Sequence, residues 1–380
     1  MAFTFADMCC GIGGFHVALK TLGGHCVFAC DIDASCRDTY FDNFGIRPEG
    51  DLRGIDPNSI PDHDVLCAGF PCQTFSNAGK KRGRQDDRGL LFDVLMRVAE
   101  VKRPSRILFE NVRHIKTIDE GNTWKHILET FDRLGYDLKT IDLSPVDLGV
   151  PQKRPRVFFC GLRRSQAPLS SSPSTFGSDF FLEPEVSEKY DVPKDIQRAF
   201  DAWDEALPLL QGHQGPVYLD FFVDVPVDPS WAKWKQDLVR RNQDLYQDPN
   251  KKDAWDAWLA KHADVLGLRK TFRKLEWQAG RITHDSSIWK QIVQLRPSGI
   301  RVKTTGHYPT LVAMVQVPIV GPERRYLTPR ECARLQSFPE SFRLSASDHL
   351  AYKQLGNSVN VRCVLRAYDI FSDTCKWVPS

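Results

Sequence analysis

The hydrophobic positions of this chain fall into two regimes. From the N-terminus to about residue 160, short apolar runs alternate with glycine turns and helical spacing. Phe3 to Met8 predicts a first strand, Cys9 to Phe15 a glycine-rich turn, His16 to Leu22 a helix, and Cys26 to Cys30 a second strand ending in Asp31-Ile32-Asp33. Asp64 to Ala68 predicts a buried parallel strand, Arg106-Ile107-Leu108 another apolar strand closed by Phe109-Glu110-Asn111-Val112, and Val157 to Cys160 a further one. This βα rhythm predicts an α/β sheet that binds a nucleotide-like ligand.

Beyond Gly161 the pattern changes. Ser165 to Ser178 is rich in Ser and Pro and predicts a linker or loop. Residues from about 185 to 328 lack the βα rhythm. Within them Ser230 to Gln278 has helical spacing and carries Trp231, Trp234, Trp255, Trp258 and Trp277. Spacings of three favour one helix face, where core or partner contacts suit tryptophan better than base stacking. Thr328-Pro329 supplies an N-cap and a proline to start another helix, and a last one is predicted from Val361 to Phe371.

Composition narrows the class. A length of 380 residues suits one large domain plus a smaller one, and 42% hydrophobic with 26% charged residues is ordinary for a globular protein. No run approaches the roughly 18 apolar residues of a membrane span. Met1 to Ala6 enters a strand at once, so no signal peptide is expected. Eleven cysteines are an odd number without framework spacing, which points to a reducing, intracellular compartment: cytoplasm or nucleoid, or nucleus or viral factory according to source. Cys9, Cys10, Cys26, Cys30 and Cys36 cluster early, but no C-x-x-C pair occurs among them and no metal site is expected. A net charge of +3 is too small to argue for nucleic acid, so any such contact must come from local basic patches.

The candidate chemistry lies at strand ends. Gly11, Gly13 and Gly14 allow close approach of backbone N–H groups to a ligand, and Asp31, about 20 positions past the start of the turn, can bond ribose hydroxyls. That combination suits a dinucleotide enzyme equally well. In Gly69-Phe70-Pro71-Cys72-Gln73-Thr74, proline stops the ladder, so the Cys72 thiol projects from the carboxyl edge of the sheet, where ligands bind in open α/β folds. Glu110 at the end of a buried strand is costly unless paired or working, and Arg113 or Lys116 would be its nearest partners. Gln152, Arg154 and Arg156, at alternate positions before Val157, would share one side of a strand facing the site.

Together these motifs resemble the cytosine-C5 DNA methyltransferase family. Pro71-Cys72-Gln73 with Phe75-Ser76, Glu110-Asn111-Val112, Gln152-x-Arg154-x-Arg156, Arg330 to Pro339 and Gln354 to Val359 match its motifs in family order. The resemblance covers residues 3 to about 163 and about 326 to 372, and the middle only through Thr310-Leu311-Val312. It implies a Rossmann-like S-adenosylmethionine-dependent methyltransferase sheet with helices on both faces, plus a smaller target-recognition domain. The expected division is 1–180 catalytic and cofactor-binding, 181–328 target recognition with a helical insertion, 329–355 a hinge and supporting helix, and 356–380 a C-terminal helix returning to the catalytic domain.

The implied activity is sequence-specific methylation of cytosine C5 in double-stranded DNA. Cys72 would attack C6 of a flipped-out base and C5 would take the methyl group from S-adenosylmethionine. Glu110, if burial raises its pKa, would hold a proton toward N3. Arg156 would steady Glu110 and the pyrimidine carbonyl, and Arg154 would support the loop. The cofactor would lie against Asp7, Gly11, Gly13, Gly14, Asp31, Ile32, Asp51, Leu52, Pro71, Asn357, Ser358 and Val359. DNA would meet Gln73, Ser76, Lys80, Arg82 and Arg84 of a closing loop, and Arg301, Lys303 and Thr310 of the recognition domain. Two departures stand out: Cys9 and Ile32 replace aromatic residues usual beside the cofactor, which should alter its packing. No metal is implied, a monomer is the default, and a cognate restriction endonuclease is an open question. An RNA (tRNA) cytosine-C5 methyltransferase and a catalytically silent DNA-binding relative remain as alternatives.

Overall fold

The computed structural model describes residues 2–70, 91–164, 166, 180–223 and 225–372. The chain divides into two compact units, the first made of residues 1–182, 310–315 and 329–380, the second of 183–309 and 316–328. Residues 310–315, anticipated within the 181–328 domain, therefore pack in the first unit.

The first unit is built on six strands: β1 Phe3–Met8, β2 Gly24–Cys30, β3 Val65–Gly69, β4 Arg106–Val112, β5 Tyr136–Leu143 and β6 Arg156–Arg163. Their order is β2-β1-β3-β4-β6-β5. β1 to β4 run parallel, and β6 lies antiparallel to both of its neighbours. Helix α1, Gly14–Thr21, leads from β1 out to β2, and α2, Ala34–Phe44, leads back past β1 toward β3. The winding thus reverses between β1 and β3, which opens a crevice at the carboxyl ends of these strands.

Helices cover both faces. Ala6, Met8, Leu66, Ala68, Ile107, Phe109, Val157 and Phe159 form one core with Phe92 and Leu95 of α3 (Leu91–Lys102) and Ile127 and Phe131 of α4 (Asn122–Arg133). The alternate residues point the other way. There Phe5 meets the His16 ring of α1 edge-on at 5.3 Å. Cys160 donates to the Ala367 carbonyl of a late helix, Val361–Tyr368. The end of the chain thereby returns to the face that its beginning built.

The second unit carries helices α5 Lys194–Ala206, α6 Lys233–Gln247 and α7 Lys252–Leu268, and strands β7 Val217–Tyr218, β8 Lys274–Gln278, β9 Ile292–Arg296, β10 Gly299–Lys303, β11 Ile319–Val320 and β12 Arg325–Tyr326. The strand order is β12-β11-β9-β10-β8-β7. Trp203, Trp255, Trp258, Phe272, Leu275, Val293, Ile300 and Val302 are buried together in its core. The segment 230–278, expected to be helical, forms two helices and then departs from that expectation in a strand. Pro249 follows Asp248, whose carboxylate accepts from Asn250 N–H in a tight turn, and this ends α6. Leu275 and Trp277 then alternate on β8 rather than following a helical period. Trp255 and Trp258 are core, whereas Trp234 is 68% exposed. The remaining helices, α8 Pro329–Leu335, α9 Asp348–Asn357 and α10 Val361–Tyr368, belong to the first unit.

Candidate active site

The glycine turn after β1 is shaped by its neighbours. Gly13 has φ 90°, and a Cβ there would fall 2.3 Å from the Phe44 ring. A Cβ on Gly14 would fall 2.7 Å from Val359 Cγ1 and 3.0 Å from Ser358 Oγ. The start of α1 and the segment after α9 can therefore meet only over a bare backbone. Gly11, at φ 53°, has nothing within 4 Å of its missing Cβ and faces open space. Its N–H donates to Asp31 Oδ2 at 2.8 Å, while Asp33 N–H donates to Asp31 Oδ1 at 2.8 Å. Both oxygens are thus fixed at the end of β2 with lone pairs to spare, and burial holds the carboxyl above its usual range. Ile32 is 69% exposed beside it.

These residues fit an adenosyl group carrying an amino acid: a rigid carboxylate for ribose hydroxyls, an exposed apolar side chain, a bare turn and a helix start without a side-chain cap. Leu52 and Val359 are buried and Asn357 is exposed. Asp51 already accepts from Arg53 Nε at 2.9 Å, which lowers its pKa. Asp7 differs from expectation in setting. Its side chain is fully buried, Oδ2 has no hydrogen-bond partner among the described residues, and burial pushes the carboxyl well above the carboxylate range. Cys67 donates to Asp7 Oδ1 at 3.7 Å. Cys9 stands in the left-handed region at φ 52° and is half-buried.

The catalytic edge is formed where β3 and β4 end side by side, with Gly69 opposite Glu110. Glu110 Oε1 lies 2.8 Å from Arg156 Nε, with only 11% and 15% of the two side chains exposed. Arg113 and Lys116, its nearer neighbours in sequence, instead pair with Asp142, at 3.6 and 2.9 Å. Asn111 contributes a contact that the residue pattern alone did not assign. Its Nδ2 donates to the Phe70 carbonyl at 2.9 Å, both groups being buried. Phe70 packs its ring among Phe92, Phe109 and Phe159. The backbone entering Pro71-Cys72 is thus anchored twice, by a side chain and by a hydrogen bond. Pro71, Cys72, Gln73, Ser76, Lys80, Arg82 and Arg84 lie outside the described residues.

Gln152, Arg154 and Arg156 do not share one strand face. Gln152–Lys153 is a short strand of a separate two-stranded sheet, Arg154 and Pro155 lie outside any strand, and β6 begins at Arg156. Arg156 alone reaches Glu110. Arg154 is buried, and its guanidinium donates to three carbonyls: Leu311 at 2.7 Å, Ser358 at 2.8 Å and Gly356 at 3.1 Å. Burial and the adjacent Arg156 pull its pKa down to about 9, which leaves it charged at neutral pH. Arg154 therefore acts as a strut joining three segments of the first unit. Gln152 is fully buried, and neither of its amide atoms has a hydrogen-bond partner among the described residues. Thr310 donates its hydroxyl to the Lys153 carbonyl at 2.7 Å, and Arg301 is held by Glu276 at 2.7 Å. Both residues expected to face DNA thus have protein partners. Among the described residues no cluster of His, Cys, Asp and Glu could hold a metal ion, and no helix is long and apolar enough to cross a membrane.

The sheet order and the glycine crevice are those of the α/β fold of S-adenosylmethionine-dependent methyltransferases. Solved structures agree on the fold. The Dnmt2 methyltransferase of S. pombe superposes with a TM-score of 0.55 at 19% identity, covering 97% of each chain. The methyltransferase EhMeth of Entamoeba histolytica gives 0.57 at 16%, covering 99% of each. Sequence relatives include the Type II methyltransferase M.HhaI of Haemophilus parahaemolyticus, 31% identical over 97% of this chain and 94% of its own length. M.DsaV of Dactylococcopsis salina is 33% identical over 96% and 84%. The family model described as C-5 cytosine-specific DNA methylase matches residues 3–369, and the chain belongs to that family, the DNA cytosine-C5 methyltransferases.

Proposed function

We propose that the chain methylates cytosine C5 within a short sequence of duplex DNA, with Cys72 as the nucleophile. The observation that carries this reading is the buried Glu110–Arg156 pair at the edge where Asn111 anchors the carbonyl of Phe70, two residues before Cys72. Cytosine C5 is too weak a nucleophile to be alkylated directly. Attack of the Cys72 thiolate on C6 forms a C–S bond and pushes electrons into an enamine, which makes C5 nucleophilic. Glu110 faces the ring's N3 and exocyclic amine and carries a proton toward N3 as charge develops. Arg156 keeps Glu110 oriented and offers its remaining N–H groups to the pyrimidine carbonyl. S-adenosylmethionine, held by Asp31, Ile32, the Gly11 turn and the segment at Ser358, supplies when bound an electrophilic methyl group to C5. Loss of the C5 proton to a base then re-forms the C5–C6 double bond and expels Cys72.

A paired base cannot reach a site at the sheet edge, so the target nucleotide is extruded from the duplex. Radiolabelled methyl transfer to unmethylated duplex DNA, wild type beside Cys72→Ser, tests the reading. Label on cytosine C5 with the wild type alone is expected, and sequencing the product gives the site. Label on tRNA but not on DNA would overturn the choice of substrate, and equal labelling by Cys72→Ser would overturn the nucleophile.

A further inference from the structure

In the sheet of the second unit one face of β8 to β10 packs into the core, and the other carries mostly polar side chains with Ile292 buried among them. Val293, Ile300, Val302 and Leu275 enter the core. The intervening positions Gln294, Arg296, Arg301, Lys303, Glu276 and Gln278 therefore project from the opposite face. Register places Gln294 against Arg301, and Arg301 against Glu276. Two arginines on this face are treated differently. Arg301 is neutralised by Glu276 at 2.7 Å. Arg296 has no carboxylate partner among the described residues. Its Nη2 donates to Gln294 Oε1 at 2.9 Å, and its Nε is buried without a partner.

Gln294 is itself buried, 1% exposed, and its Nε2 donates to the Gln316 carbonyl at 3.3 Å. Only one orientation of that amide satisfies both contacts, so Gln294 braces the guanidinium. Burial and the nearby Arg301 lower the pKa of Arg296, as expected of a cation short of acceptors. The turn of the hairpin is its exposed part. Arg296 opposes Gly299 across the exposed tip Pro297-Ser298. A Cβ on Gly299 would lie 2.5 Å from Lys274 Cβ, so only glycine lets β10 pass β8 so closely.

Resting on the DNA reading above, we propose that the exposed turn of the β9–β10 hairpin meets the major groove and that Arg296, braced by Gln294, reads a guanine. Both strands have further neighbours in the sheet, so the part offered to the groove is the exposed turn with Arg296 at its base. The free outer N–H groups of Nη1 and Nη2 form a planar fork, the donor pattern that matches guanine O6 and N7. Arg301, its charge spent on Glu276, is assigned to holding the ribbon rather than to reading a base.

The test is methylation of a randomised duplex library, sequenced to give the preference at every position, with wild type, Arg296→Lys and Gln294→Met in the full chain. Lysine keeps the charge and loses the fork. The expected result is a drop of roughly 10- to 100-fold in discrimination for guanine at one position with Arg296→Lys, the other positions unchanged. Gln294→Met should show a smaller loss at the same position. A uniform fall in methylation with the preference intact would overturn the proposal and make Arg296 a phosphate contact. If the wild type methylates no duplex, the proposed function fails and this inference with it. If the wild type methylates and Arg296→Lys keeps its guanine preference, this inference alone fails.

Discussion

Replacing Arg154 by methionine separates a strut from a catalytic group. The guanidinium serves the carbonyls of Leu311, Gly356 and Ser358. Ser358 also accepts from Gln336 Nε2 at 3.1 Å and keeps a partner after the substitution. The bonds lost at Leu311 and Gly356 leave buried carbonyls unsatisfied at about 1–3 kcal/mol each, or roughly 2–6 kcal/mol together. Methionine fills most of the aliphatic volume, and removing a buried charge returns part of its desolvation cost. A net loss of about 2–4 kcal/mol follows, a large share of the ~5–15 kcal/mol that holds a domain folded. Urea unfolding of the full chain, followed by circular dichroism, should show a lower midpoint with unchanged slope. Methyl transfer at a temperature where the variant stays folded should persist within about tenfold, an allowance for displaced segments. A wild-type midpoint combined with a thousandfold loss of methyl transfer would refute the strut and restore Arg154 to the chemistry.

Three further outcomes follow from the geometry. Gly14→Ala places a methyl group 2.7 Å from Val359 Cγ1 and should weaken calorimetric binding of S-adenosylhomocysteine by about 10-fold or more, with ~1–3 kcal/mol of overpacking strain; unchanged affinity would detach the Ser358–Val359 segment from the cofactor. Glu110→Gln leaves Arg156 without its carboxylate and should cut kcat by about 10²-fold or more, while adding Arg156→Leu should recover stability but not activity; a double variant as active as wild type would exclude the pair from the chemistry. Asp7→Asn should change how stability varies with pH. The folded-state pKa of Asp7 is raised, so its contribution is full below the unfolded value near 3.8 and is lost as pH climbs toward the folded value, by about 1.4 kcal/mol per pH unit. His16, pushed down to about 3 by burial, works with the opposite sign below its unfolded value of 6.5, so the wild-type minus variant difference is the quantity to measure. Parallel stability profiles between pH 4 and 7 would show that Asp7 does not keep its proton.

How far the sequence was legible depended on the range of each interaction. β1 to β4 were readable because strands covered on both faces are continuous apolar runs, and the glycine turn because Gly13 and Gly14 answer to close approaches. The partner of Glu110, Arg156, was named through the family resemblance and not by local sequence, which offered Arg113 or Lys116. Arg113 and Lys116 are near in sequence, yet both turn to Asp142 on β5. Arg156 arrives because β6 lies antiparallel to β4 with Phe158 opposite Glu110, which puts Arg156 two residues along on a neighbouring strand. No local period encodes that register.

The same limit explains the second unit. Tryptophans at helical spacing suggested helical structure as far as Gln278, and most of the segment is helical, but helical spacing describes only the part that carries it, and β8 takes over from Lys274. The basic stretch from Arg296 to Lys303 was legible as charge, whereas the division of labour within it was not. Arg301 is spent on Glu276, 25 residues earlier in the chain, and Arg296 is braced by a glutamine on its own strand. Charge along the chain shows where cations are abundant. Only the pairing across the sheet shows which arginine has no carboxylate partner among the described residues, and that one is the better candidate for reading a base than the arginine already neutralised beside it.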